Sequence, residues 1–475
     1  MIRSKRHGRL RSPKDLEVGL PYTEIIYNGH RISYEEYKNL KPEGIPLPKI
    51  PYKALHTDLA RNDNILRIYS KILNNPEKII DKPKYKNIRK FDVDNLVIGC
   101  GTSGLYALKS LTESKLNTVA ICSEELGDVK YDSSEHPFIN KKILISELKN
   151  IFKYNQEKII KGFFLGKFSE GLVFETENEY LIVSVKNRLI IATGARFIPP
   201  LFEGNDLPGI ISKNMFLRYK DKYKKILILG STNEALKTAL NSHDVVILYK
   251  KDTEMFSAYY KELVQEKGYE IVPINTMKVE RIGKSLYVTT DSGEWLVDAV
   301  VYSIVKQPRI EVSNNIGIDY LFYDLLHIYI PKHNFYGESS FNNYILIGGA
   351  RGISDEYISQ LSGEIIGNLY KIDEFKYNFP KHEEYLYKLF NNNWESINSP
   401  YLLGRNGYVC ECEDILFSDI IEKVNEGYRS VEELKRLTGI TTGHCQGKLC
   451  SFLIGSIIKS PRLITYRSPL LRLIA

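Results

Sequence analysis

The chain has 475 residues, 43% of them hydrophobic and 26% charged, with a formal net charge of +7. This length exceeds one simple core and implies about two to four domains. The lysines and arginines are spread along the chain, which argues against nucleic-acid binding, and no run approaches the ~18–20 apolar residues of a membrane helix. The opening Met1-Ile2-Arg3-Ser4-Lys5-Arg6 is basic with no apolar stretch behind it, so no secretory signal is read and a cytoplasmic location is expected. Cysteines in that compartment stay reduced and free to bind metal.

Residues 1–90 are rich in Lys, Arg, Tyr and Pro and contain no cysteine, so they cannot hold a thiolate cluster. Asn28-Gly29 between strand-like flanks predicts a hairpin in a small β region, followed by a linker. From residue 91 short apolar strands alternate with helical patterns, the signature of an α/β fold. Leu96-Val97-Ile98 reads as a buried strand running into Gly99-Cys100-Gly101-Thr102-Ser103-Gly104. A G-x-G-x-x-G at a strand end lets the backbone approach a pyrophosphate, whose charge the following helix N-terminus favours. A glycine turn without a ligand is the alternative.

The second strand, Val119–Cys122, should end at an acid that holds a ribose. That place is taken by Cys122 or Ser123 with Glu124 just beyond, so Ser123 and Glu124 are the candidates. Cys100 and Cys122 read as small core residues, each with neither a partner cysteine nor a histidine near it in sequence.

Residues 170–200 predict a β-meander closing in Ala192-Thr193-Gly194-Ala195, with Thr193 and Gly194 as further cofactor-binding candidates. A second strand-turn-helix begins at Lys225–Gly230, but there Thr232 and Ala235 stand where the second and third glycines belong. Side chains at those positions would crowd a pyrophosphate, so a dinucleotide fold is expected there without a nicotinamide nucleotide. Tyr344–Ile347 predicts a strand ending at the candidates Gly348 and Gly349. Beyond residue 375 the pattern turns helical, and Ser430-Val431-Glu432-Glu433 has the form of a capping box opening a helix that stops near Gly439.

Cys410, Cys412, Cys445 and Cys450 form C-x-C, 32 intervening residues and C-x4-C, four of the six cysteines in the chain. Four thiolates from two short loops suit an iron-sulfur cluster or a structural zinc, because both take soft anionic sulfur. Pairs spaced this way are less typical of zinc than C-x2-C. His444, beside Cys445, reads as a neighbour of the site rather than a ligand.

These landmarks resemble flavoproteins of the disulfide-reductase-like type with two dinucleotide-binding domains. More narrowly, they resemble the alpha subunits of heteromeric amine and amino-acid dehydrogenases: dye-linked proline dehydrogenase, sarcosine oxidase, and hydrogen cyanide synthase and opine oxidase subunits. The matching segments are Gly99–Gly104, Ala192–Arg196, Leu207-Pro208-Gly209-Ile210, Cys410-Glu411-Cys412-Glu413, Gly443–Cys450 and the tail Tyr466–Leu470. The cysteine module is similar to the bacterioferritin-associated-ferredoxin-like domain, which implies a 2Fe-2S cluster on the four cysteines. The resemblance further implies FAD, or another adenine nucleotide, in the first domain and FMN at a subunit interface. It also implies two partners, a catalytic flavoprotein beta subunit and a small ferredoxin-like subunit. Where the family carries Gly-Asp before its last flavin-domain helix, this chain has Gly348-Gly349.

The implied organisation is an N-terminal region at 1–90 resembling a degenerate β-grasp and an FAD-type domain in two parts, 91–215 and 311–375. A degenerate NAD-type domain at 216–310 interrupts it, and a helical 2Fe-2S domain and tail fill 376–475. The implied function is an electron-transfer subunit, with an amine or amino acid such as proline or sarcosine oxidised on the partner. Two alternatives stay open, a self-contained NAD(P)H-dependent flavin/iron-sulfur reductase and a noncatalytic scaffold holding zinc.

Overall fold

The structure, a computed structural model, describes residues 86–368 and 398–470 apart from 342, 353 and 444, together with 372–374, 376 and short strands before residue 33. Among the latter, Ile25–Tyr27 and His30–Ile32 pair antiparallel across the predicted hairpin turn. Lys5–Arg6 and Arg9–Leu10 form a second antiparallel pair; the remaining residues before 86, and His444, lie outside the described residues.

The first domain opens with β1 (Asn87–Cys100), α1 (Thr102–Glu113), β2 (Thr118–Glu125), α2 (Lys141–Tyr154) and β3 (Ile159–Lys161). The meander follows as β4 (Phe163–Phe168), β5 (Gly171–Glu175) and β6 (Glu179–Ile191), then a short β7 (Ala195–Phe197). Strand order is β3-β2-β1-β6-β5-β4, parallel from β3 to β6 and antiparallel beyond. Leu96 and Val97 are fully buried on opposite faces of β1, as a parallel strand covered on both sides requires.

The second domain comprises β8 (Ile210–Ser212), α3 (Lys213–Arg218), β9 (Lys225–Leu229), α4 (Asn233–Ala239), β10 (Asp244–Lys250), α5 (Ala258–Glu266) and β11 (Glu270–Ile274). An antiparallel sheet of β12 (Met277–Ile282), β13 (Ser285–Thr290) and β14 (Glu294–Val297) precedes β15 (Ala299–Tyr302). The main sheet, β8-β15-β9-β10-β11, is parallel throughout.

The chain returns through β16 (Lys306–Pro308), which pairs antiparallel with β7 and sets Gln307 opposite Arg196. It continues through α6 (Ile310–Asn315), the hairpin β17 (Tyr320–Tyr323) and β18 (Ile328–Pro331), and β19 (Tyr344–Leu346), which rejoins the first sheet parallel to β6. Then α7 (Glu356–Glu364) packs on α1, where a Cβ on Gly363 would stand 2.3 Å from the Ser103 carbonyl oxygen.

The C-terminal module holds β20 (Tyr408–Cys410), β21 (Ile415–Leu416), α8 (Phe417–Asn425), α9 (Val431–Thr438) and α10 (Cys450–Ile458). The capping box is formed: Ser430 Oγ accepts from the Glu433 N–H at 3.2 Å, and Glu433 Oε2 accepts from the Ser430 N–H at 3.0 Å. Gly439 closes α9 in the left-handed conformation at φ +77°, the conformation glycine adopts without strain. One apolar core runs from β1 and β6 through the second sheet into α8, α9 and α10.

One expectation is corrected. Cys100 and Cys122 are not separate core thiols but form a disulfide, with Cα atoms 5.5 Å apart. They are 22 residues apart in sequence, yet Cys100 ends β1 and Cys122 lies within the neighbouring parallel strand β2, and that adjacency makes them partners.

Candidate functional site

The turn after β1 forms a cradle. A Cβ on Gly99, at φ +111°, would meet the Ala192 carbonyl oxygen at 2.4 Å, and one on Gly104 would meet the Gly99 carbonyl oxygen at 1.9 Å. At Gly101 an added Cβ would meet nothing within 4 Å. The three glycines therefore serve a tight turn, a close helix-strand contact and an open face toward a ligand. Gly101, Thr102 and Ser103 line a cleft of ≈160 Å³ together with Gly194 and Gly349.

Gly348 lies behind this wall, its N–H donating to Ser362 Oγ at 3.1 Å. Thr193 Oγ1 is buried without a hydrogen-bond partner among the described residues, an acceptor and donor held in reserve beside the cradle. These features fit the diphosphate of an adenine dinucleotide such as FAD.

Ser123 and Glu124 sit elsewhere. Ser123 is exposed, and Glu124 accepts two hydrogen bonds from Arg218, at 2.9 and 2.6 Å, and pairs with Lys130 at 3.0 Å. Burial raises the Glu124 pKa, but the Arg218 hydrogen bond and charge outweigh it and hold the carboxyl below its ordinary value. The wall on this side is made by Asp128 and Val129 instead.

Sequence reasoning missed the inner end of the cleft, where ionic side chains of both domains meet. Lys213 pairs with Asp132 at 3.1 Å and Glu234 at 2.8 Å; Lys141 pairs with Asp132 at 3.3 Å and Glu356 at 3.1 Å. Lys306 reaches Glu234 at 2.9 Å, and Lys237 reaches Glu356 at 3.5 Å. Burial alone would raise the three carboxyls, yet the surrounding ammonium groups hold all of them below their ordinary values, Glu234 at about 2. Burial pulls Lys213 down, but Asp132 and Glu234 outweigh it and push it up.

Asp355, also on the wall, caps α7 by accepting from the Ile358 N–H at 2.9 Å and meets His136 Nε2 at 3.1 Å. Its position before an apolar helical run was a readable cap signal. Most of the lysine pairings, such as Lys213 with Asp132 and Lys141 and Lys237 with Glu356, join residues far apart in the chain and left no local trace.

In the second domain the corresponding turn is filled by its own side chains. Ser231 and Thr232 are buried. Ser231 Oγ and Thr253 Oγ1 lie 2.7 Å apart, and Thr232 Oγ1 donates to the Ile304 carbonyl at 2.9 Å. Gly230 keeps the first-glycine role, since a Cβ there would meet the Ser303 carbonyl oxygen at 2.4 Å.

The four C-terminal cysteines converge. The Cys410 thiol lies within sulfur hydrogen-bonding reach of Cys412 and Cys450, and Cys445 closes the ring against Cys412 and Cys450. Cys410, Cys445 and Cys450 are buried, and Cys412 is half-buried. A Cβ on Gly443 would stand 2.3 Å from Cys412 Cβ, so only glycine lets the two loops approach. Left-handed backbone at Asp414, Thr441, Gln446 and Gly447 shapes the loops, and conformations of this kind cluster where a ligand set must be held open. Lys448, buried between them, donates to the Cys445 carbonyl at 3.3 Å and to the Leu470 carbonyl of the tail. This donor set fits a four-thiolate cluster.

The geometry defines a two-dinucleotide-domain flavoprotein joined to a cysteine module. Residues 93–321 match the family model of pyridine nucleotide-disulphide oxidoreductase, and residues 408–460 match the BFD-like [2Fe-2S] binding domain. The chain is therefore an FAD-dependent oxidoreductase with a C-terminal 2Fe-2S domain, and the resemblance read from its motifs is borne out at that level.

Among solved structures, L-proline dehydrogenase from P. horikoshii is similar in fold, with 21% identity and a TM-score of 0.62 over 82% of this chain and 80% of that one. Thioredoxin reductase from T. acidophilum has 13% identity and a TM-score of 0.48 over 60% and 99%. No curated protein sequence matches the chain. Among the described residues no helix is long and apolar enough to cross a membrane.

Proposed function

We propose that this chain is the electron-transfer subunit of a heteromeric flavin-dependent dehydrogenase. In this reading a flavoprotein beta subunit oxidises an amine or amino acid such as proline or sarcosine, and electrons leave through this chain to an external acceptor. Cys410, Cys412, Cys445 and Cys450 hold the 2Fe-2S cluster, and the cradle of Gly99, Gly101, Thr102, Ser103 and Gly104, with Thr193, Gly194, Gly348 and Gly349, holds FAD. FMN at the subunit interface, a small ferredoxin-like subunit and the domain limits at 90, 215, 310 and 375 belong to the same proposal. Bound flavin exchanges two electrons with a reductant, whereas a 2Fe-2S cluster passes one at a time.

The observation that carries the reading is the closeness of the two sites. Ala195 is on the cleft wall, and the adjacent Arg196 donates to the Lys448 carbonyl, between the ligands Cys445 and Cys450, at 2.7 Å. The state of the cleft supports catalysis on a partner, because the inner carboxylates and lysines are committed to one another, and the pKa values of Asp132, Glu234, Glu356 and Lys213 are driven away from neutrality. A general base would need a value near the working pH. The filled second turn weighs against a self-contained NAD(P)H reductase.

The test is purification of the native complex, followed by its visible spectrum, iron and sulfide content and partner masses. Flavin and iron absorbance with a second flavoprotein in the complex is expected. Colourless, iron-free protein isolated alone would overturn the proposal.

A further inference from the structure

The junction between the two sites holds a buried ion pair that neither cofactor motif explains. Arg196 is fully buried and its guanidinium pairs with Glu311, at the start of α6. The guanidinium also sits 5.8 Å from the centre of the Phe452 ring, in α10. Arg196 Nε and Glu311 Oε2 are both buried without hydrogen-bond partners among the described residues. Burying such a pair carries a desolvation penalty that an apolar pair would avoid, so its presence points to a requirement other than stability.

We propose that Arg196 is a positioning residue for the cluster: it fixes the Cys445–Cys450 loop against the nucleotide domain and raises the cluster's reduction potential. The inference rests on the assignment of the four cysteines as cluster ligands.

Two physical effects act together. A trans peptide points its C=O and N–H in opposite directions, so tethering the Lys448 carbonyl fixes the direction of the Leu449 N–H at the start of α10, beside the ligand Cys450. N–H groups aimed at sulfur help set cluster potentials. In addition, a cluster gains negative charge on reduction, and a buried cation nearby stabilises that form. Glu311 offsets part of the effect, which makes the pair an adjustable source of field at the cluster.

The test is an electron-paramagnetic-resonance redox titration of the purified complex, with iron content measured in parallel, for wild type, Arg196→Lys, Arg196→Gln and Glu311→Gln. Arg196→Gln should shift the one-electron equilibrium at least tenfold toward the oxidised cluster, equivalent to about 59 mV. Arg196→Lys, which keeps the charge but loses the planar fork, should shift it less in the same direction. Glu311→Gln should shift it in the opposite direction. An iron-loaded Arg196→Gln protein with the wild-type midpoint would overturn the inference and leave Arg196 a purely structural residue. If Arg196→Gln fails to fold or load iron, an unchanged midpoint in Glu311→Gln overturns it equally. Absence of iron from the wild type would instead remove the cluster assignment, and this inference with it.

Discussion

The turns after β1 and β9 begin alike and end differently. Each starts with a glycine pressed against a neighbouring carbonyl oxygen, yet at Gly101 the space for a side chain is open, while Ser231 and Thr232 turn inward and close the second turn with their own hydrogen bonds. A dinucleotide fold persists without its nucleotide when side-chain donors and acceptors replace the ligand's. The fold needs the first glycine; binding needs the second.

The largest effect should come from closing the open turn. Gly101 has φ −77°, which any residue can adopt, so Gly101→Leu should leave stability within about 0.5 kcal/mol. The same change should lower flavin content roughly tenfold or more by blocking the pyrophosphate; extraction and absorbance would measure it, and full flavin content would break the contrast between the turns.

Next in size is the ionic seam between the domains. Asp132→Asn leaves Lys213 and Lys141 half-paired and should cost about 3–5 kcal/mol in chemical denaturation. The pH dependence follows from the signs. The depressed carboxyls contribute stability that is complete above their unfolded values of about 4 and is lost as pH falls through their folded values, Glu234 at about 2. The raised Lys213 contributes stability that is complete below its unfolded value and is lost at more alkaline pH. Denaturation across pH should show both flanks in wild type and weaker ones in the variant.

Removing the disulfide as Cys100→Ala with Cys122→Ala should cost about 3 kcal/mol for a loop of this size, read as a lower denaturation midpoint. The smallest effect concerns the closed turn: Ser231→Ala should cost about 1 kcal/mol, one hydrogen bond. NADH should neither bind nor bleach either protein. Bleaching by NADH would show that the second turn still admits a nucleotide.

What could be read from the sequence depended on distance along the chain. The cysteine quartet and the first glycine turn announce themselves through rare residues at short spacing, and Ser430 and Glu433 act within one helical turn. Glu124 is placed just past the expected strand end, but β2 runs through it to Glu125 and Arg218 claims its carboxylate. The Cys100–Cys122 pair needed the knowledge that β1 and β2 lie side by side. Lys213 carries no local sign of burial, because Asp132 and Glu234, its carboxylate partners, come from other elements; Lys141 and Lys237 add to nearer partners, Asp132 and Glu234, the distant Glu356. Arg196 stood within a recognised motif, but its partner, the Lys448 carbonyl, could be found only in three dimensions.

The ionic seam also has a bearing on heat. Charged groups lose hydration free energy as temperature rises, so the penalty for burying Asp132, Lys213, Glu234 and Glu356 shrinks while the gain per area of apolar contact levels off. On warming, the junction between the two domains should therefore strengthen relative to the core on either side. The inner end of the cleft would then keep its shape at temperatures where the peripheral helices begin to fray.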